Sequence, residues 1–200
     1  MKKLDKNVLS DLVKKPILAR VSDGDWYQYA KEPELQAIVK KSSSEIARLN
    51  QVATTDFDAA EKGLHALVSN LTVSSEIYFP IRGLEYPSNL TVGDGSFINA
   101  GLRILSAGKV TIGAHCFIGP DVNFYTPNHS TDLELRREGW QYDAPITLGN
   151  DCWLGGNVTL LPGVTLGNNV IVGAGAVVTK DFGNNVMIAG NPAREIKNLA

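Results

Sequence analysis

The glycine-rich segment 148–180 carries an aliphatic side chain at every sixth position, and this period strongly limits the folds open to the chain. A period of six differs from the 3.6-residue period of an α-helix and is longer than the two-residue alternation of a plain strand. A short fixed period of this kind indicates a repeat architecture. The six positions are Leu148, Leu154, Leu160, Leu166, Val172 and Val178.

Two shorter blocks upstream carry the same period, and small or apolar residues recur four positions after the anchors. Each unit is typical of a short strand followed by a tight turn, with the anchor pointing inward. Three units would close one triangular coil, and stacked coils would bury a continuous aliphatic column. The upstream anchors are Val92, Ile98, Ile104, Ile112, Ile118 and Phe124; the second set is Cys116, Val122, Cys152, Val158, Val164, Val170 and Ala176.

The first 75 residues follow helical spacing instead. One helix is predicted to start near Pro33, because proline is well tolerated in a first helical turn. Another is predicted after an N-cap at Thr55 or Asp56. The apolar stripe assigned to this last helix comprises Leu64, Leu67, Val68 and Leu71.

The predicted organisation is therefore a helical region over 1–75, a mainly β solenoid over 76–190 and a C-terminal tail over 191–200. A non-periodic insertion at 126–145 interrupts the solenoid and is expected to protrude as a long loop. Long excursions from a rigid scaffold are frequent places for binding and catalysis.

Composition excludes several classes of protein. The chain of 200 residues has a net charge of −2 and a pI near 5.9, so no broad basic face for nucleic acid is expected. No apolar run approaches the roughly 20 residues of a membrane span. The start, "MKKLDKNVLSDLVKK", lacks the apolar core of a secretory signal, which predicts a cytoplasmic protein. Cys116 and Cys152 are expected to be free thiols in stacked coils.

The motifs "IGPDV", "LGNDCWLGGNV", "PGVTLG" and "GAGAVVTKD" resemble the hexapeptide-repeat acyltransferases. The further segments "WYQYAKEPEL", "FIN", "PNH" and "IAGNPAREIK" resemble the maltose and galactoside O-acetyltransferase branch of that family. The resemblance implies a left-handed parallel β-helix. It also implies acetyl-CoA as co-substrate, no metal requirement, and a homotrimer with each active site between two subunits.

The insertion contains His129, in "TPNHSTD". Histidine suits a general base because its ordinary pKa lies near neutrality. The resemblance places the family's catalytic histidine at this position, where it would take the proton from an acceptor hydroxyl. The alternative is a surface histidine in a polar loop.

The resemblance also implies the residues that would hold the two substrates. The position of Gly156 would supply a backbone N–H near the thioester. Phe97, by contrast, departs from the aromatic hydroxyl usual in the branch, and Ser106 replaces an acidic residue, which predicts an acceptor other than maltose or a galactoside. The cofactor-binding candidates are Gly156, Ala174, Thr179, Lys180 and Arg194, and the acceptor-binding candidates are Asn99, Trp153 and Glu85.

The sequence thus predicts an O-acetyltransferase that moves an acetyl group from acetyl-CoA to a hydroxyl of a sugar or glycan precursor, with His129 as general base. Two alternatives stay open: an N-acetyltransferase of an amino sugar or antibiotic, and a non-catalytic β-helix scaffold. A carbonic-anhydrase-like β-helix is poorly supported, because only His115 and His129 fall within the predicted solenoid region 76–190.

Overall fold

A computed structural model describes residues 9–105 and 107–199, so Ser106 and residues 1–8 of the predicted helical region lie outside the described residues. The N-terminal part is mostly helical and lies beside a solenoid of parallel strands. Its elements are α1 (Leu9–Leu12), α2 (Ile17–Ser22), β1 (Tyr27–Gln28), a 3-10 turn (Tyr29–Lys31), α3 (Pro33–Ala53) and α4 (Phe57–Leu67).

The solenoid has about six coils, and each of the first five contains three short strands. Coil one has β2 (Asn70–Leu71), β3 (Glu76–Ile77) and β4 (Gly83–Leu84), followed by a 3-10 turn (Pro87–Asn89). Coil two has β5 (Leu90–Val92), β6 (Phe97–Ile98) and β7 (Arg103–Leu105), and coil three has β8 (Val110–Ile112), β9 (Phe117–Ile118) and β10 (Asn123–Tyr125).

The insertion follows coil three and contains β11 (Pro127–His129), α5 (Leu133–Arg137) and β12 (Trp140–Asp143). Coil four then has β13 (Ile146–Leu148), β14 (Trp153–Leu154) and β15 (Thr159–Leu160). Coil five has β16 (Thr165–Leu166), β17 (Val170–Val172) and β18 (Val177–Val178), and the chain ends with β19 (Val186–Ala189) and β20 (Arg194–Asn198).

Equivalent strands of successive coils pair in parallel and form the three sheets of a prism. The first sheet contains β2, β5, β8, β13 and β16; the second contains β3, β6, β9, β14, β17 and β19, with β20 added antiparallel; the third contains β4, β7, β10, β15 and β18. Two edges matter below. We call the corner after each strand of the second sheet the second–third edge, and the corner after each strand of the third sheet the third–first edge.

The six-residue anchors form the core of the prism, as the period predicts. None of the twelve anchors named from the sequence is more than 3% exposed, and Phe124 is fully buried. Burying one such side chain contributes about 1.5–3 kcal/mol, so the column is the main source of stability. The parallel-coil fold predicted from the sequence is confirmed.

The N-terminal helices start where their sequence signals indicate. Pro33 occupies the first turn of α3, and the Asp56 side chain caps α4 by accepting a 3.0 Å hydrogen bond from the N–H of Ala59. The buried Ser42 hydroxyl of α3 donates to the carbonyl of Glu85 at 2.7 Å. This contact joins α3 to the first coil beside the third–first edge.

The structure differs from the sequence-based boundaries at both ends of the solenoid. The first coil begins at Asn70, and Leu71 belongs to it rather than to the apolar stripe of α4. Leu71 lies six residues before the buried Ile77, so the first coil carries inward aliphatic side chains that the sequence analysis did not count among the anchors. The last ten residues include β20, which pairs with β19.

Candidate active site

The insertion is an ordered hairpin rather than an open loop. Its strands β11 and β12 pair antiparallel, and β1 from the N-terminal region adds to the other side of β12. The helix between them is capped by Asp132, whose carboxylate accepts hydrogen bonds from the N–H groups of Glu134 and Leu135 at 2.9 and 3.0 Å. The hairpin that carries His129 is thereby held on its β12 side by a strand of the N-terminal region.

A buried polar network supports the base of this hairpin. The Tyr27 hydroxyl donates to Asp143 Oδ2 at 2.5 Å, and the Thr126 hydroxyl lies 2.7 Å from Asp143 Oδ1. All three side chains are at most 2% exposed. Gln141 donates from Nε2 to the Tyr27 hydroxyl at 2.8 Å. Because a buried unpaired carboxylate is costly, these partners hold β1, β12 and the start of the insertion in one arrangement.

His129 itself is exposed and borders a groove of about 210 Å³ on the third–first edge. Glu85 lies in the same groove, and burial followed by the charge of Glu85 raises the pKa of Tyr29. The groove therefore combines an imidazole, a carboxylate, a phenolic hydroxyl and an amide, which suits an acceptor rich in hydroxyl groups. Its lining residues are Tyr29, Glu85, Tyr86, Leu105, Pro127, His129 and Gln141.

A second groove, of about 510 Å³, runs along the second sheet and its edge. Trp153, 55% exposed, forms part of its wall together with Gly156 and Ala174. The N–H of Gly155 donates to the carbonyl of Val172 at 2.8 Å. Among the described residues, no acceptor takes the N–H of Gly156, so this donor is available to a bound molecule.

An apolar ladder lies on the outer face of the second sheet, with one side chain for each coil from the second onward. Successive members are register partners, and Phe117 is 58% exposed. Exposed apolar strips of this length are typical of surfaces that meet another protein chain or a ligand. The ladder comprises Phe97, Phe117, Trp153, Ile171 and Met187.

The structure separates the site residues predicted from the sequence into two groups. Asn99, Gly156 and Ala174 lie on the second–third edge, with Trp153 and Arg194 on strands of the second sheet. The other group lies on the third–first edge and comprises Glu85, His129, Thr179 and Lys180. One chain therefore brings His129 and Glu85 together, but it does not bring them to the groove beside Trp153.

The two predicted basic residues make contacts of their own. Lys180 Nζ lies 5.3 Å from the centre of the Phe182 ring, a cation–π distance. Arg194 Nη1 donates to the carbonyl of Ala193 at 2.8 Å. Both side chains are exposed, so they are accessible to an anionic ligand.

Sequence reasoning missed Tyr27, Tyr29, Gln141 and Asp143, which support or line the groove of His129. Tyr27 and Tyr29 fall within "WYQYAKEPEL", a segment that carried the family resemblance without any role assigned to it. Only the pairing of β1 with β12 shows why those tyrosines matter.

Cys116 and Cys152 are buried free thiols. Among residues 9–105 and 107–199, no three or more His, Cys, Asp or Glu side chains gather so that they could hold a metal ion. None of the helices in the described ranges has the length and apolar character needed to cross a membrane.

Known proteins share both the repeat and the whole fold. The family "Bacterial transferase hexapeptide (six repeats)" matches residues 145–180. A Saccharomyces cerevisiae protein, named provisionally as an acetyltransferase, is 34% identical over 183 residues, which span 92% of this chain and 93% of that protein.

Two solved structures match closely over most of this chain. A maltose O-acetyltransferase from Clostridium difficile 630 superposes with a TM-score of 0.87 and 31% identity, covering 93% of this chain and 98% of that one. A galactoside acetyltransferase in complex with coenzyme A gives a TM-score of 0.86 and 30% identity, covering 93% and 92%.

The fold, the repeat and these matches together define the class of protein: the chain belongs to the hexapeptide-repeat acetyltransferases.

Proposed function

We propose that the protein transfers an acetyl group from acetyl-CoA to a hydroxyl of a sugar or glycan precursor, in a homotrimer whose active sites lie between neighbouring subunits. The observation that carries this proposal is the division of the site. The groove that contains Gly156, whose N–H has no acceptor among the described residues, lies on the second–third edge of the prism. His129 and Glu85 lie together on the third–first edge.

Each part of the reaction has a group suited to it. The imidazole of His129 takes the proton of the acceptor hydroxyl as that oxygen attacks the thioester carbonyl. The N–H of Gly156 donates to the oxyanion of the tetrahedral intermediate. Collapse of the intermediate breaks the carbon–sulfur bond, and the imidazolium returns its proton to the departing CoA thiolate. Atoms and charge balance without a covalent enzyme intermediate.

Assembly supplies what one chain lacks. If the second–third edge of one prism faces the third–first edge of its neighbour, His129 of one copy meets the Trp153 groove of the next. The apolar ladder around Phe117 supports such a contact, because its exposed area would be covered on association. In this arrangement Thr179 and Lys180 of one copy and Ala174 and Arg194 of the next can flank the pantetheine and phosphates of the same acetyl-CoA.

The groove around His129 favours an uncharged, hydroxyl-rich acceptor. Glu85 supplies a carboxylate and Tyr29 a phenolic hydroxyl, both of which hydrogen-bond sugar hydroxyls. Asn99 lies on the other edge and would reach the acceptor from the neighbouring copy. One observation favours the amine alternative: the Glu85 carboxylate would also attract an amino sugar. The cytoplasmic location expected from the sequence stays a prediction.

The test measures CoA release from acetyl-CoA with a panel of neutral sugars, amino sugars and no acceptor. His129→Ala is expected to lower kcat by about 10²–10⁴-fold while CoA binding, measured by calorimetry, is retained. His115→Ala is the matched control, because His115 is an exposed histidine in the corner between β8 and β9, and it should keep wild-type rates. Equal rates for wild type and His129→Ala would overturn the proposed base. CoA binding without turnover of any acceptor would favour a scaffold.

A further inference from the structure

The side-chain amide of Gln141 lies between Tyr27 and His129. In the three-stranded sheet β12 is central, with β1 on one side and β11 on the other. Gln141 is the register partner of Tyr27 across one strand pair and of His129 across the other. Directly paired residues share a face of a sheet, with Cβ atoms about 4.5–5.5 Å apart. Tyr27, Gln141 and His129 therefore form one row on the groove side of the hairpin.

Hydrogen-bond direction along this row is fixed from its buried end. Asp143 is 2% exposed, and its carboxylate oxygen Oδ2 can only accept a hydrogen bond. The Tyr27 hydroxyl must therefore be the donor in its bond with Asp143. The same hydroxyl can then only accept from Gln141, which is why the amide nitrogen Nε2 faces β1 at 2.8 Å. Because Oε1 and Nε2 diverge from the same carbon, an amide nitrogen directed at β1 leaves Oε1 to accept from a donor on the side away from β1. On that side lies β11, with His129 as the paired residue.

We propose that Gln141 is a positioning residue for His129: its Oε1 accepts the N–H of the imidazole, fixes one tautomer, and leaves the other ring nitrogen to take the proton of the acceptor. The inference rests on the proposed role of His129. It adds a relay from a buried carboxylate, Asp143, through Tyr27 and Gln141, to the base. A ring nitrogen is made donor or acceptor by the partner of the other nitrogen, so such a relay selects the reactive form.

A neutral amide also suits this task electrostatically. A carboxylate at the same position would stabilise the protonated imidazolium, so a smaller fraction of the imidazole would be in the neutral form that can accept a proton at neutral pH. Gln141 orients the ring without adding a negative charge beside it. The charged member of the relay, Asp143, is separated from the imidazole by three hydrogen bonds, and both of its oxygens are paired with hydroxyls.

The experiment compares Gln141→Leu and Gln141→Glu with Gln28→Leu. Gln28 is the matched control, because it lies in the same sheet as the register partner of Trp140, on the opposite face, and donates to the carbonyl of Glu138 at 2.7 Å. The first measurement is independent of turnover: nitrogen-15 NMR of the histidine rings, with the His129 signals assigned by their loss in His129→Gln. The second is the pH profile of kcat/KM.

In wild type one neutral tautomer of His129 should predominate, and Gln141→Leu should shift the ratio toward that of free imidazole. The same variant should lower kcat by about 5–30-fold with an unchanged KM for acetyl-CoA, as expected for an interaction that positions a base. Gln141→Glu should move the acidic limb of the pH profile about one unit upward. Gln28→Leu should change none of these.

An unchanged tautomer ratio in Gln141→Leu would overturn the relay, whatever the enzyme's acceptor is. An equal loss of kcat in Gln28→Leu would also overturn it, because damage to the sheet would then explain the result. If His129→Ala kept full activity while Gln141→Leu altered the tautomer ratio, the relay would stand and the proposed base would fall.

Discussion

The Tyr27 hydroxyl donates a 2.5 Å hydrogen bond to the Asp143 carboxylate, although 116 positions separate the two residues. Both are buried, and their bond joins the N-terminal region to the end of the inserted hairpin. The helical region is thus part of the proposed active site rather than an appendage to the solenoid.

Removing this hydroxyl should weaken the fold. Tyr27→Phe leaves a buried carboxylate oxygen without its donor, which costs about 1–3 kcal/mol. Urea unfolding at fixed protein concentration measures the loss. Tyr78→Phe is the control, since Tyr78 is 40% exposed, and it should change stability by less than about 0.5 kcal/mol. Equal free energies of unfolding for the two variants would contradict the account.

Because the coils stack closely, a side chain added at a glycine between two coils should lower the stability of the fold. A Cβ at Gly149 would lie 2.6 Å from the carbonyl carbon of Gly167 in the next coil, whereas a Cβ at Gly183 would have nothing within 4 Å. Gly149→Ala should therefore lower stability by about 1–3 kcal/mol through overpacking, and Gly183→Ala should be neutral. Thermal unfolding of the two variants, side by side, checks the contrast; similar melting temperatures would argue against tight stacking.

The buried Cys152 thiol should make the fold sensitive to alkali. The hydrogen bond with Cys116, and then burial, raise the pKa of Cys152 above its ordinary 9.0. A raised folded pKa gives stability that is complete below the unfolded value and is lost as the pH rises beyond it. The free energy of unfolding should fall by up to about 1.4 kcal/mol per pH unit above pH 9.

Cys152→Val should remove that slope while preserving the core, because Val170 occupies the equivalent position one coil further on. Tyr29 and Tyr86, whose pKa values burial also raises above 10.0, add their own dependence only above about pH 10. Denaturation at pH values from about 8 to 10 isolates the thiol contribution. An identical slope in Cys152→Val would count against it.

Trp153 offers a direct optical report on the second groove. Trp26 and Trp140 are only 3% and 5% exposed, whereas Trp153 is 55% exposed. Binding of CoA should therefore change the tryptophan emission mainly through Trp153, because the bound molecule would displace water from around its indole ring. In Trp153→Phe the emission change should vanish while calorimetry still detects binding, with Kd altered by less than about tenfold. A full emission change in that variant would place CoA elsewhere.

The repeat made the solenoid predictable, because an apolar side chain recurs at a fixed interval and no polar residue takes its place at the anchor positions. Leu71 was assigned to a helix because a single aliphatic residue fits both the apolar stripe of a helix and the first inward position of a coil. Local signals at Pro33 and Asp56 were sufficient to place two helix starts, since caps depend on a few neighbouring residues.

The site was only partly predictable. His129 and Trp153 belong to motifs that the resemblance identifies, but Gln141 and Asp143 act through contacts with Tyr27, more than 100 positions away in the chain. No local pattern encodes such a pairing. The division of the predicted residues between two edges was equally invisible, because it follows from the order in which the three sheets alternate along the chain.

The most direct test of the shared site is complementation between two inactive variants. His129→Ala lacks the base, and Ala174→Trp fills the second groove at an exposed position without disturbing the core. The two variants are co-expressed with different tags, and the mixed trimers are purified. They should recover about a third of wild-type activity, since one of the three sites in each mixed trimer pairs an intact base with an intact groove. Mixed oligomers with no more activity than either variant alone would show that the site does not lie between copies.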